Sequence, residues 1–217
     1  MQLETTPLQQ QSAVTLCRDD IPEGALGTLL HRRSAWDIET NGLDWREARI
    51  DTCQVAAEDG TTFIVRFSAE TPSPPRLTRV LQDASSLKLF HHATFDLSFM
   101  RHHWRVRASN VACTKIASKI LQPSRADHSL KKILNDYLGI TLMKDQRVRL
   151  SDWSVTELSA EQLRYASDDV RYLALLFEVL RRRLNTVSRW ELAAAAFAFL
   201  PVNVELKMQG LVDVYAY

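Results

Sequence analysis

The sequence carries almost no net charge. Its 27 lysines and arginines stand against 26 acids, a formal +1 over 217 residues. A chain without a global basic field lacks the many phosphate contacts that tight, nonspecific binding of long nucleic acid requires. A short nucleic-acid substrate stays open, because acids that bind metal would offset local Lys and Arg. Cysteine is equally scarce. Cys17, Cys53 and Cys113 are odd in number, widely spaced and without a CxxC, so they suggest neither a disulfide framework nor a structural zinc site. Reduced thiols in a cytoplasmic protein are the simpler expectation. No basic segment followed by an apolar run opens the chain, and no apolar stretch approaches the roughly 20 residues of a membrane helix. No membrane partner is expected. Internal repeats, low-complexity tracts and a linker between domains are also missing.

What is present is globular. Hydrophobic residues make up 46% and charged residues 24%, ordinary values for a soluble domain, and the length allows one sizeable core. Residues 1–12 are polar and Gln-rich and read as frayed. "DDIPEGAL" opens a short helix running to Leu30, and "SAWDIE" follows as a strand. Two β-branched runs flank Asp59-Gly60, a hairpin turn signal. "TPSPP" is a loop, "RLTRVLQDA" a helix, "LKLFHH" a buried strand and "ATFDLSFMRHHW" a helix. Beyond residue 113 the pattern is mainly helical. "CTKIASKIL" stops at Pro123, and "SLKKILNDYLG" ends on a glycine. "LSAEQLRYASDDVRYLALLFEVLRRRL" carries an apolar stripe of Val170, Leu173, Phe177, Leu180 and Leu184. The tail ends in an alternating run. A mixed sheet followed by packed helices implies one α/β domain.

Three motifs carry acids. In "WDIETNGLD", Asp37 and Glu39 share one face of a strand while Trp36 and Ile38 occupy the other. Paired oxygen donors can hold Mg²⁺ or Mn²⁺, although a solvated strand face is the plainer reading of the motif alone. In "FHHATFDLSFM", Asp96 lies just inside a helix that follows a buried strand. It reads alone as a partner of the helix dipole, but ligands of open α/β sheets also sit at such strand ends. In "YASDDVRYL", Tyr165 and Asp169 share a helical face at i, i+4, with Asp168 as the competing acid. A surface Tyr–Asp pair is the plain alternative.

In this order, Asp-x-Glu, then Asp after a strand, then Tyr-x3-Asp, the motifs resemble the DEDD 3′–5′ exonuclease superfamily in its tyrosine-bearing branch, to which ribonuclease D belongs. "WDIETNGL", "KLFHHATFDLSFM", "CTKIASKIL", "SLKKIL", "LSDW" and "LSAEQLRYASDDVRYL" extend the likeness from about residue 34 to 186. "FLPVNVELKMQGLVDVYAY" is similar to the tail of the compact nanoRNase C group. The resemblance implies a ribonuclease H-like (DnaQ-like) α/β fold, with a mixed central sheet flanked by helices. It divides the chain into an N-terminal extension with a short helix (1–33), an exonuclease domain (34–190) and a C-terminal extension (191–217) that packs on the domain or forms an oligomer interface.

The same resemblance implies that Asp37, Glu39, Asp96 and Asp169 ligate two divalent cations, Mg²⁺ or Mn²⁺, and that Tyr165 orients or deprotonates the attacking water. Thr40, Leu43 and His91 become substrate contacts, Leu43 as a wedge against terminal bases; a plain core leucine is the other reading. The expected activity is 3′–5′ hydrolysis of RNA, above all short oligoribonucleotides with a free 3′ end, to nucleoside 5′-monophosphates. A DNA exonuclease and an inactive nucleic-acid-binding module are the alternatives. A ring-like homo-oligomer such as an octamer is also implied. The sequence departs from the family pattern in three places. His92 stands where many relatives have Asn. The "KDQRVRLSDW" loop is two residues longer than usual, and Arg149 falls where Gln is often found. "RHHWRVR" and "RRR" read as solvated basic faces, the paired histidines as an improbable zinc site, and Trp153 as structural.

Overall fold

A computed structural model of the protein describes residues 13–68, 73–143, 145–211 and 214. The frayed segment expected at 1–12, part of the "TPSPP" loop, Lys144 and most of the last six residues lie outside the described residues. Six strands form one sheet: β1 (Val14–Arg18), β2 (Arg33–Thr40), β3 (Ile50–Ala57), β4 (Thr62–Arg66), β5 (Leu87–Phe90) and β6 (Val111–Cys113). Their order is β1-β4-β3-β2-β5-β6. β2, β3 and β4 form an antiparallel meander, while β1, β5 and β6 add in parallel. The expected hairpin lies between β3 and β4, where Gly60 takes a positive φ of 92° that an L side chain would resist. Strand β1 was not expected from the sequence. It is only five residues long, and its side chains are largely exposed.

Helices cover both faces of the sheet. They are α1 (Leu26–Leu29), α2 (Pro75–Gln82), α3 (Ala93–His103), α4 (Thr114–Leu121), α5 (Leu130–Leu138), α6 (Gln146–Arg149), α7 (Ala160–Val170), α8 (Leu173–Thr186) and α9 (Trp190–Met208). Proline opens α2 at its first turn, where the missing N–H costs nothing. Gly139 closes α5 in the left-handed conformation, as its sequence position predicts. α7 lies across β2, β3 and β4, while α8 packs on β2, β5 and α4. This arrangement is the mixed α/β, ribonuclease H-like architecture that the motifs imply.

One sequence expectation needs correction. The long segment at 158–184 is two helices, not one, interrupted at Arg171–Tyr172. Periodicity survives the break, because the stripe from Val170 to Leu184 is buried throughout. α9 runs as far as Met208 with Pro201 inside it, and most of the alternating run that ends the tail lies outside the described residues. The arginines of the basic runs are largely exposed, as expected, and some also pair with acids. Arg101 and Arg107 both reach Glu205, and Arg181 pairs with Glu178.

One core position is costly. Lys88 of β5 is 0% exposed. Its ammonium donates to the Asp83 carbonyl at 2.7 Å, and burial pulls its pKa from 10.5 down to about 8. A lysine whose folded pKa lies below its unfolded value binds fewer protons when folded, so stability rises with pH between those two values. We expect the Lys88→Met variant to melt higher at pH 7, since an apolar replacement of a poorly compensated buried charge is often stabilising. The wild type should close that gap as pH rises from about 8 to 10.5. Calorimetric melting of both proteins across this range checks it; a constant difference would contradict it.

Candidate active site

The site begins with where β2 loses a neighbour. On one side, β2 pairs with β3 along its whole length. On the other, its pairing with β5 covers only Arg33, Ser34 and Ala35. Past Ala35 the strands part, and the crevice lies at the carboxyl end of β2, where parallel sheets place ligands. Trp36 and Ile38 point into the core, while Asp37 and Glu39 are only half-buried on the opposite face. α3 follows β5 and carries Asp96 into the crevice. The Asp96 carboxylate accepts the backbone N–H of Ile38, the residue between the two β2 acids. Asp96 is 2% exposed. Burial first, and then the charge of Asp169, push its carboxyl up to about 7 against the pull of two backbone N–H groups.

α7 delivers the remaining groups. A Ser159–Gln162 capping box fixes its start. One carboxylate oxygen each from Asp37, Glu39 and Asp169 lies within 4.8 Å of the others. Asp168 turns aside to an ion pair with Arg171 at 3.3 Å, so of the two adjacent acids it is Asp169 that joins the cluster. Tyr165 packs its ring on the buried Trp153, with centroids 5.9 Å apart. Its hydroxyl faces the acids. Burial raises its pKa most, and Asp169, Glu39 and Asp37 raise it further, while Arg149 opposes them.

A cleft of ≈ 780 Å³ opens beside Glu39. One wall is the turn after β2. There Thr40 donates to the Gly42 carbonyl at 2.6 Å, and Asn41 accepts the Arg49 N–H at 2.8 Å. Gly42 lies so close to the chain returning toward β3 that a Cβ on it would stand 2.9 Å from the Ala48 Cβ. Leu43 is 86% exposed at the rim, so it is not a core leucine. The second wall is His92 and Phe95, stacked with 14° between their planes. His92 is pulled below the usual imidazole range by burial and by Lys115, Lys207 and Lys119. The third wall runs from Arg149 to Trp153. Behind the cleft, His91 Nδ1 lies 2.9 Å from the Thr114 hydroxyl, and the Cys113 thiol donates to the His91 carbonyl.

The structure therefore brings Asp37, Glu39, Asp96, Tyr165 and Asp169 together, with Thr40 and Leu43 at the mouth and His91 one strand away. Sequence reasoning missed Phe95 and Gln162. The first carries no signal beyond an aromatic at helical spacing. The second had one, the Ser-x-x-Gln of a capping box. Gln162 also donates to the Ser151 hydroxyl and the Asp152 carbonyl, which latches the third wall to α7.

Comparison with known proteins identifies the family. The 3′-5′ exonuclease family matches residues 29–185. Protein RRP6-like 1 of Arabidopsis thaliana is 25% identical over 189 residues, which are 86% of this chain and 28% of that protein. Ribonuclease D of Zymomonas mobilis is 27% identical over 176 residues, 80% of this chain and 44% of its own. The chain thus spans less than a third of the first curated relative. Among solved structures, Brucella melitensis NrnC superposes with a TM-score of 0.89 at 35% identity, covering 94% of this chain and 98% of that one. That protein has also been solved bound to pGG (TM-score 0.88, 34% identity, 95% and 99% covered) and with Mg²⁺ (TM-score 0.87, 34% identity, 94% and 99% covered). Among the described residues, no helix is long and apolar enough to cross a membrane.

Proposed function

Given that the chain belongs to the 3′-5′ exonuclease family, we propose that it is a metal-dependent exoribonuclease that removes nucleoside 5′-monophosphates from the 3′ ends of short RNAs in the cytoplasm. The observation that carries this reading is the approach of the Asp37, Glu39 and Asp169 oxygens to within 4.8 Å. Asp96 adds a fourth carboxyl. Such a group of acids is over-charged on its own, and repulsion from Asp169 adds to the burial that pushes the Asp96 carboxyl up. All four donors are carboxylate oxygens, which suit hard cations such as Mg²⁺ or Mn²⁺. These four side chains would hold two such ions. When bound, the ions supply Lewis-acid charge that polarises the phosphodiester and acidifies water.

The chain's own residues supply the rest. Tyr165, fixed by Trp153, orients the attacking water toward phosphorus. The bond to the upstream 3′-oxygen breaks, the 3′-oxygen takes a proton, and the phosphate leaves on the released nucleotide. Leu43 wedges its exposed side chain against the terminal bases, while Thr40, which holds the turn that carries it, and His91 are further substrate contacts. Residues 34–190 form the catalytic unit in this reading. The 1–33 extension adds edge strand β1, and the 191–217 extension offers the exposed Leu192 and Val202 of α9 as part of a homo-oligomer interface. A monomeric mass by light scattering would overturn that last part.

Shortness of the substrate is supported by the nearly neutral charge, since affinity for a long backbone scales with the phosphates neutralised. The pGG bound to NrnC points the same way. The test is product length over time on matched RNA and DNA oligomers from two to about twenty nucleotides, a range over which phosphate contacts accumulate. RNA dimers to tetramers should turn over fastest. If DNA is degraded faster than RNA at every length, the protein is a DNA exonuclease instead. No turnover of either would leave the inactive binding module.

A further inference from the structure

Most arginines around the site are already engaged. Arg46 grips Asp44, Arg147 grips Asp145 and Arg171 grips Asp168. Arg149 differs. Among the described residues its side chain makes no ion pair, and it is the only lysine or arginine lining the cleft beside Glu39. The acid of its own wall, Asp152, is taken by the Ser154 hydroxyl at 2.6 Å. The backbone of Arg149 is held firmly. Its N–H donates to the Asp145 carbonyl at 3.2 Å, and its carbonyl accepts the indole N–H of Trp153 at 3.4 Å. Gln162 latches the following residues to α7. An exposed, uncommitted guanidinium is thus mounted on the same rigid body as Tyr165 and Asp169, near enough that its charge acts on the Tyr165 hydroxyl.

The cleft has an electrostatic problem that this cation meets. A phosphodiester arriving there approaches four carboxyl groups. His92 on the facing wall offers a neutral ring rather than a charge, because burial and three lysines depress its pKa. A guanidinium matches two phosphate oxygens at once. We propose that Arg149 is a catalytic residue that binds the scissile phosphate itself, opposite the acid cluster. This rests on the exonuclease reading and deepens it. Charge builds on the phosphate oxygens as water attacks, so the contact strengthens toward the transition state.

The test uses a trinucleotide RNA without terminal phosphates and the same trimer with a neutral methylphosphonate at its upstream linkage, so that only the scissile phosphate carries charge. Arg149→Ala should lower kcat/KM on both by about 10- to 100-fold, the size of a lost charge-assisted hydrogen bond. The fall in log kcat/KM with log salt should become shallower by about 0.7, one single-strand phosphate contact. Arg149→Lys should keep the salt dependence and Arg149→Gln should lose it, with melting points matching the wild type. The proposal is overturned if the loss on the unmodified trimer vanishes on the methylphosphonate trimer, which would put the guanidinium upstream, or if the loss is under threefold on both. Failure of the wild type to cleave either RNA or DNA trimers would instead refute the exonuclease reading, and the role of Arg149 with it.

Discussion

Asp37→Ala is expected to abolish Mg²⁺- or Mn²⁺-dependent hydrolysis of a labelled RNA oligonucleotide, by roughly 10³-fold or more, as loss of a group that acts with others as a unit does. Asp37 is half-buried at the open end of β2 and shares its face with Glu39. Its backbone pairs with Gln54 across the sheet, and alanine preserves that pairing. The fold should therefore survive. In chelator the variant should melt no lower than the wild type, because one of several mutually repelling carboxylates has gone. Added Mn²⁺ should then separate the two. A ligand that binds only the folded state stabilises it by about 2.7 kcal/mol at 100 times its dissociation constant, and the variant should lose most of that rise. Melting curves with and without metal, beside the activity assay, distinguish a lost metal site from a lost fold. Retained hydrolysis in the variant would sink the assignment of this cluster.

The sequence was legible where a single strong physical pattern acts. The stripe from Val170 to Leu184 is one helical face, and it is buried as its spacing requires. Asp59-Gly60 demands a turn and makes one. The alternation of Trp36, Asp37, Ile38 and Glu39 sets which side chains face the crevice. The parting of β2 from β5 after Ala35 was not legible, because it depends on where β5 ends relative to β2 in space. Without it, nothing in "FHHATFDLSFM" indicates that Asp96 bonds the N–H of Ile38. The break at Arg171–Tyr172 was hidden for a related reason. No Gly or Pro marks it, and the apolar stripe runs through it without change of phase. Edge strand β1 is short and exposed, so neither alternation nor burial announces it. The status of Leu43 is a different case. The sequence left a core leucine and a wedge open, and an exposure of 86% removes the first.

The pair Asp168 and Asp169 offers the sharper discrimination, because the two residues are adjacent, carry the same side chain and differ only in helical phase. Asp169→Asn keeps the shape of the side chain while removing one negative charge from the cluster, and it should reduce kcat by roughly 10³-fold, in line with loss of a member of a cooperative catalytic set. Asp168→Asn should leave kcat within a few-fold of the wild type. Its cost is the ion pair with Arg171 at 3.3 Å. Both partners keep some contact with water, so that pair contributes about 0.2–1 kcal/mol to stability. The two variants should thus separate in opposite directions: Asp169→Asn inactive with an unchanged or higher melting point in chelator, and Asp168→Asn active with a slightly lower one. Paired rate and melting measurements decide the matter. If Asp168→Asn were the inactive variant, α7 would be rotated by about 100°, one residue of helical turn. Tyr165, four residues before Asp169, would then lose its place over the acids as well, and with it the orientation of the attacking water.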